Sequence, residues 1–96
     1  ALGVLKTFGN IESVGMISFP RKGITMALDF QNKGLETLKF LNRLDAIVME
    51  YGGALYPAKD ARMSSEVFNK SFPNINEFVK YIDPKFTSSF WKRVNK

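Results

Sequence analysis

The chain contains no cysteine and no histidine. Without cysteine there is no disulfide framework, no thiolate metal site and no cysteine nucleophile, and the composition is compatible with a cytoplasmic setting. Without histidine the side chain that most readily exchanges protons near neutrality is missing, and with it the usual ligand for zinc or copper. No stretch approaches the ~18 to 20 uninterrupted apolar residues of a membrane-spanning helix, and the opening residues lack the charged, apolar and cleavable pattern of a leader. An initiator methionine is also missing: Ala1-Leu2-Gly3-Val4-Leu5-Lys6-Thr7-Phe8 starts inside an apolar pattern. A soluble piece with a truncated start is the expectation.

What is present suits one folded domain over residues 1–96. A chain of this size buries roughly 60 to 70% of the surface that its unfolded form exposes. The apolar share of 45%, with nine Phe, three Tyr and one Trp, is well above that of a disordered chain. The net charge of +5 raises the question of an anionic partner, but only Arg21-Lys22 and Lys92-Arg93 with Lys96 are dense in base. Acidic residues interrupt the remainder, so no continuous basic stripe is visible.

Hydrophobic periodicity divides the chain into short elements without a repeat or linker. Val4, Leu5 and Phe8 have helical spacing, so the opening reads as the tail of a helix ended by Gly9 or Asn10. Gly15 to Phe19, the turn Pro20-Arg21-Lys22-Gly23 and the alternating segment Ile24 to Phe30 read as a β-hairpin. Leu35, Leu38, Leu41, Leu44, Ile47, Val48 and Tyr51 then recur with helical period, and Gly52-Gly53 supplies the stop. Ala54-Leu55-Tyr56 is expected to return as a third strand that Pro57 ends. Ser64 caps a short helix carrying Val67 and Phe68. Asn74 with Glu77 resembles a capping box, Asp83-Pro84 makes a turn, and Thr87 or Ser88 starts a last helix through Val94. The fold class is therefore α+β, a small antiparallel sheet covered by helices with a helical C-terminal tail.

The chemistry concentrates in Gly52-Gly53-Ala54-Leu55-Tyr56-Pro57-Ala58-Lys59-Asp60-Ala61-Arg62. A loop leaving a rigid scaffold is a favoured place for function. Taken from composition alone, the same residues describe a surface loop whose Lys59, Asp60 and Arg62 are solvated and weakly paired. Tyr56 offers an aromatic face and a hydroxyl, and is also what a half-buried strand end would carry. Arg62 can grip a phosphate or carboxylate in a two-pronged fashion, or form a structural ion pair with Asp60 or Glu66. Asp29 projects from the face opposite Ile24, Met26 and Leu28. Phe86, Phe90 and Trp91 read as a binding patch or as packing.

This run, together with Met16 to Gly23, Ala27 to Phe30, Leu41 to Asp45, Phe72-Pro73, Phe78, Asp83-Pro84 and Ser88 to Arg93, resembles the C-terminal region of FAD-linked oxidases of the vanillyl-alcohol oxidase superfamily. Within it the similarity is to the group of decaprenylphosphoryl-ribose oxidase and its bacterial relatives. The resemblance implies a cap, or substrate domain, that covers the reactive face of a flavin held mainly by a separate N-terminal FAD-binding domain of the same polypeptide. It implies that Tyr56 lies beside the flavin and that Lys59 enters the pocket of a sugar or polyol substrate, with Arg62 as a further substrate contact. Little or no FAD binding, and no activity, is expected of these residues alone. A lysine beside the alcohol oxygen can stay cationic and stabilise the developing negative charge, or act as a base where desolvation lowers its pKa. Charge stabilisation and substrate orientation are the favoured reading for Lys59, with Asp60 helping to keep a cation if it faces the same way. The alternative is a non-enzymatic α+β module that binds an anionic ligand or nucleic acid through Arg21, Lys22, Lys92 and Arg93.

Overall fold

The computed structural model describes residues 2–96, so Ala1 lies outside the described residues. Strand β1 (Leu2–Phe8) pairs antiparallel with β2 (Gly23–Asp29), with Leu5 opposite Met26 and Phe8 opposite Gly23. Four helices follow: α1 (Leu35–Glu50), α2 (Ser65–Ser71), α3 (Ile75–Phe78), which runs on into a 3₁₀ turn over Val79–Tyr81, and α4 (Ser89–Val94). The class is α+β, as the periodicity predicts.

Three details of the expected sheet are corrected. The opening segment is a strand and not a helix tail. With Gly3 inside and β-branched Val4 and Thr7 along it, the segment is a poor helix, and it carries apolar residues on both faces, which hides the period of two. It replaces Gly15–Phe19 as the partner of β2, so residues 9–22 form a long connection where a tight hairpin turn was expected. The third strand is absent among the described residues. Leu55 donates its backbone N–H to Ser71 Oγ at 3.2 Å, and Pro57 has none to give, so this stretch cannot supply a ladder.

Nor do helices cover the sheet. Opposed residues of an antiparallel pair share a face, so Leu5, Ile24, Met26 and Leu28 lie on one side and Leu2, Val4, Phe8 and Ala27 on the other. Both sides are open: Leu5 is 67% exposed and Leu2 is 63% exposed. Helix α1 behaves similarly. Its Leu41, Leu44 and Val48 are half-buried, whereas Leu35, Leu38 and Ile47 face outward.

The core lies instead in the C-terminal half, where Met63, Phe68, Phe72, Ile75 and Val94 are buried and Ile17, Phe19, Leu55, Phe78, Phe90 and Trp91 pack around them. Phe68 is its centre, meeting Phe72, Phe90 and Trp91 at ring separations of 5.1, 5.7 and 6.2 Å. Packing thus accounts for two of the three C-terminal aromatics, while Phe86 stays exposed. Serine caps set the two helices that carry this core. Ser64 Oγ accepts from Val67 N at 3.2 Å and Ser88 Oγ from Trp91 N at 3.1 Å. The capping box at Asn74 does not form, because Glu77 turns to Lys80 at 2.5 Å and the Asn74 side chain makes no cap bond.

The accessible surface is 7812 Å². A folded monomer of 10.9 kDa exposes about 5,600 Å². The excess resides in the bare β-ribbon, in the residue 9–22 connection with its fully exposed Ile11 and Val14, and in the outer face of α1.

Candidate functional site

Helix α1 ends in a closed motif that aims the chain at the loop. Gly52 adopts φ +71°, and its N–H donates to Met49 O at 3.2 Å while Gly53 N–H donates to Val48 O at 2.8 Å. This is a Schellman closure, which needs a residue tolerant of the left-handed region at Gly52. Gly53 is constrained differently: a Cβ there would stand 2.7 Å from Val48 Cγ1 and 3.1 Å from Val48 O. Both glycines of the motif are accounted for by helix termination, as the sequence predicts.

From there the chain passes through half-buried Ala54 and Leu55 to Tyr56. Buried Ser71 fixes this passage, its hydroxyl holding Leu55 N while its carbonyl accepts from Arg21 Nη2 at 2.9 Å. Tyr56 is 57% exposed and stands edge-on to Phe19, with ring centroids 5.2 Å apart. It is a surface aromatic held by one neighbour, not a core residue.

Pro57 to Asp60 forms a turn closed by Asp60 N–H donating to Pro57 O at 3.3 Å, with Lys59 exposed at its third position. The two charges that follow Lys59 are committed elsewhere. Asp60 turns inward, accepting from Arg62 N at 3.1 Å and Met63 N at 2.9 Å, and from the Arg93 guanidinium of α4. Arg62 reaches back to α1, where Nη1 donates to Asp45 Oδ2 at 3.0 Å and Asn42 Oδ1 at 2.6 Å, and Nη2 to Asp45 Oδ1 at 3.3 Å. The ion pair of Arg62 is therefore with Asp45, seventeen residues upstream, and not with Asp60 or Glu66. The expected support of Lys59 by Asp60 is not seen, since the carboxylate is saturated by other donors. Lys59 makes no hydrogen bond or ion pair among the described residues.

Tyr56 and Lys59 border an open depression of about 350 Å³, together with Leu38, Leu55 and Asp60. This arrangement offers an aromatic surface and an unneutralised ammonium on one rim. It fits one side of a bound ring and one oxygen of a ligand.

The four basic residues of the alternative binding reading are not equally free. Arg21 is used on Phe19 O and Ser71 O, and Arg93 on Asp60 and on Met63 O at 3.1 Å. The anchoring roles of Arg93, Asp45 and Ser71 are not legible in the sequence: Asp45 and Arg93 fall within the resembling Leu41–Asp45 and Ser88–Arg93 stretches without any indication of what they hold, and Ser71 carries no signal. No helix among the described residues is long and apolar enough to cross a membrane.

No family model matches the chain. It is 37% identical over 99 residues to the decaprenylphosphoryl-β-D-ribose oxidase of Mycolicibacterium smegmatis, an alignment that covers 97% of this chain and 21% of that protein. It is also 31% identical over 97 residues to an uncharacterised protein in the mprA 5′ region of Streptomyces coelicolor, covering 96% of the chain and 26% of the relative. The chain thus spans about a fifth to a quarter of the length of these relatives. The resemblance carried by the Gly52–Arg62 run and its flanking motifs holds along nearly the whole chain, which is similar to one segment of a decaprenylphosphoryl-β-D-ribose oxidase.

Proposed function

We propose that this chain is the substrate-side cap of an FAD-dependent oxidoreductase that oxidises a sugar or polyol hydroxyl. The observation that carries the reading is Lys59, the charged side chain of the Tyr56–Arg62 loop that makes no ion pair or hydrogen bond among the described residues, while Asp60 and Arg62 are both paired; it borders the same depression as the exposed Tyr56. The similarity to an oxidase favours redox chemistry over simple anion binding.

In this reading bound FAD supplies the acceptor for the hydride lost from the alcohol carbon. Lys59 holds the hydroxyl oxygen by a charge-assisted hydrogen bond. It stabilises the negative charge that grows there as the proton departs to solvent, a contribution of the kind that preorganised donors make. Tyr56 packs its ring against flavin or sugar, and its hydroxyl adds a second anchor. Arg62 serves as the tether of the loop to α1. The N-terminal FAD-binding domain of the same polypeptide covers the bare faces of the β-ribbon and α1, which carry the exposed Leu2, Leu5, Ile24, Met26, Leu35 and Ile47 in a chain whose total surface exceeds that of a folded monomer of this mass.

The test is spectroscopic. Full-length protein is expected to copurify with oxidised flavin and to lose its visible absorbance when a sugar alcohol is added without oxygen. The 96-residue chain alone is expected to do neither. Absence of flavin from the full-length protein would sink the oxidoreductase assignment. Tight flavin binding by the chain alone would sink the cap assignment.

A further inference from the structure

We propose that Asp60 and Arg93 form a positioning pair for Lys59, so that the C-terminal helix α4, remote in sequence, sets the geometry of the working loop. This rests on the reading of Lys59 as the cation that meets the substrate oxygen.

Lys59 sits in a turn between Pro57, whose ring fixes φ, and Asp60. Asp60 holds the exit of that turn. Its side chain is only 9% exposed. It spends its two oxygens on the backbone N–H groups of Arg62 and Met63, at 2.9 to 3.1 Å, and on Arg93. Arg93 is itself held in place. Its Nε donates to Met63 O at 3.1 Å, its guanidinium lies 5.5 Å from the centre of the Phe90 ring, and neighbouring Val94 is fully buried in the core. One arginine therefore grips both the carboxylate that follows Lys59 and the backbone three residues beyond it. Two residues beyond Asp60 on the same, C-terminal side of Lys59, Arg62 adds a second tie, to Asp45 of α1.

Two consequences follow for Lys59. Its turn is braced against two helices, which suits a group whose misplacement by an ångström costs catalysis heavily. Its neighbouring carboxylate is turned away and neutralised by Arg93, so the ammonium keeps its full field for the substrate. Replacing Arg93 would loosen the exit of the turn and leave the Asp60 charge, still held by the Arg62 and Met63 N–H groups, uncompensated next to Lys59.

The experiment uses the full-length flavoprotein and measures the anaerobic rate of flavin reduction by the alcohol, together with the substrate concentration at half-saturation. Asp60→Asn and Arg93→Ala are each introduced into wild type and into Lys59→Ala. In wild type each is expected to slow reduction about 10- to 100-fold, with half-saturation and flavin content within about twofold. Arg93→Lys, which keeps the charge but not both donors, is expected to fall between. In the Lys59→Ala background the same substitutions are expected to add nothing, because there is no longer an ammonium to position. An equal further loss in that background would assign the pair a merely structural role and overturn the proposal. So would a wild-type rate in Arg93→Ala while Lys59→Ala is slow. A wild-type rate in Lys59→Ala would instead remove the reading on which the proposal stands, and the proposal with it. Should Asp60→Asn fail to yield folded flavoprotein, the Arg93→Lys and Arg93→Ala pair delivers the same comparison.

Discussion

Substituting Gly53 by alanine probes the turn that delivers the chain to the candidate loop Tyr56–Arg62. The added Cβ would stand 2.7 Å from Val48 Cγ1 and 3.1 Å from Val48 O. Val48 is β-branched and helical, so one χ1 rotamer dominates and the methyl group cannot rotate aside cheaply. Forcing an extra methyl into such a contact costs about 1 to 3 kcal/mol. Loss of the 2.8 Å bond from Gly53 N to Val48 O adds about 0.5 to 1.5 kcal/mol if the turn opens instead. A destabilisation of about 2 kcal/mol lowers Tm by roughly 8 to 16 °C in a domain of this size. Denaturant unfolding followed by the fluorescence of Trp91, the single tryptophan, measures it directly. In a Val48→Ala background the cost should drop to about half, since the methyl at 2.7 Å is gone and the carbonyl at 3.1 Å remains. A neutral Gly53→Ala, or the same cost with and without the Val48 methyls, would refute the steric reasoning.

Other substitutions separate anchoring from chemistry. Arg62→Ala should destabilise by about 1 to 3 kcal/mol in the same unfolding assay, because it strands the half-buried Asp45. Phe72→Ala removes a side chain only 2% exposed and should cost about 3 to 5 kcal/mol, enough to unfold much of the chain at 37 °C. Ser88→Ala deletes the cap on Trp91 N and should cost about 1 kcal/mol, visible as a lower unfolding midpoint. Titration of the chain with an oligonucleotide at low salt should give no salt-sensitive binding, since Arg21 and Arg93 are already engaged internally.

The helices were legible because their signals are local. The periodic leucines, the Gly52-Gly53 stop, and Ser64 and Ser88 before apolar runs all act within a few residues, and each behaves in the structure as its chemistry predicts. The sheet was legible only in part. Gly23–Asp29 shows its alternation of Ile24, Met26 and Leu28 with Thr25, Ala27 and Asp29 and is a strand as that pattern predicts, whereas Leu2–Phe8 carries apolar residues on both faces and so loses the alternation that distinguishes a strand from a short helix. The register of a strand also depends on partners far along the chain, which local pattern does not encode. The same distinction divides the candidate site. Tyr56 and Lys59 stood out by type and by the motif that holds them. Arg62–Asp45 and Arg93–Asp60 are contacts across 17 and 33 residues, and only the folded chain brings those charges together.

The most direct test of the account is the single-turnover rate of anaerobic flavin reduction by alcohol in full-length protein carrying Lys59→Ala. A preorganised cation stabilising the alcohol oxygen predicts a loss of about 10²- to 10³-fold with flavin still bound. An unchanged rate would show that the free ammonium of this loop takes no part in the reaction.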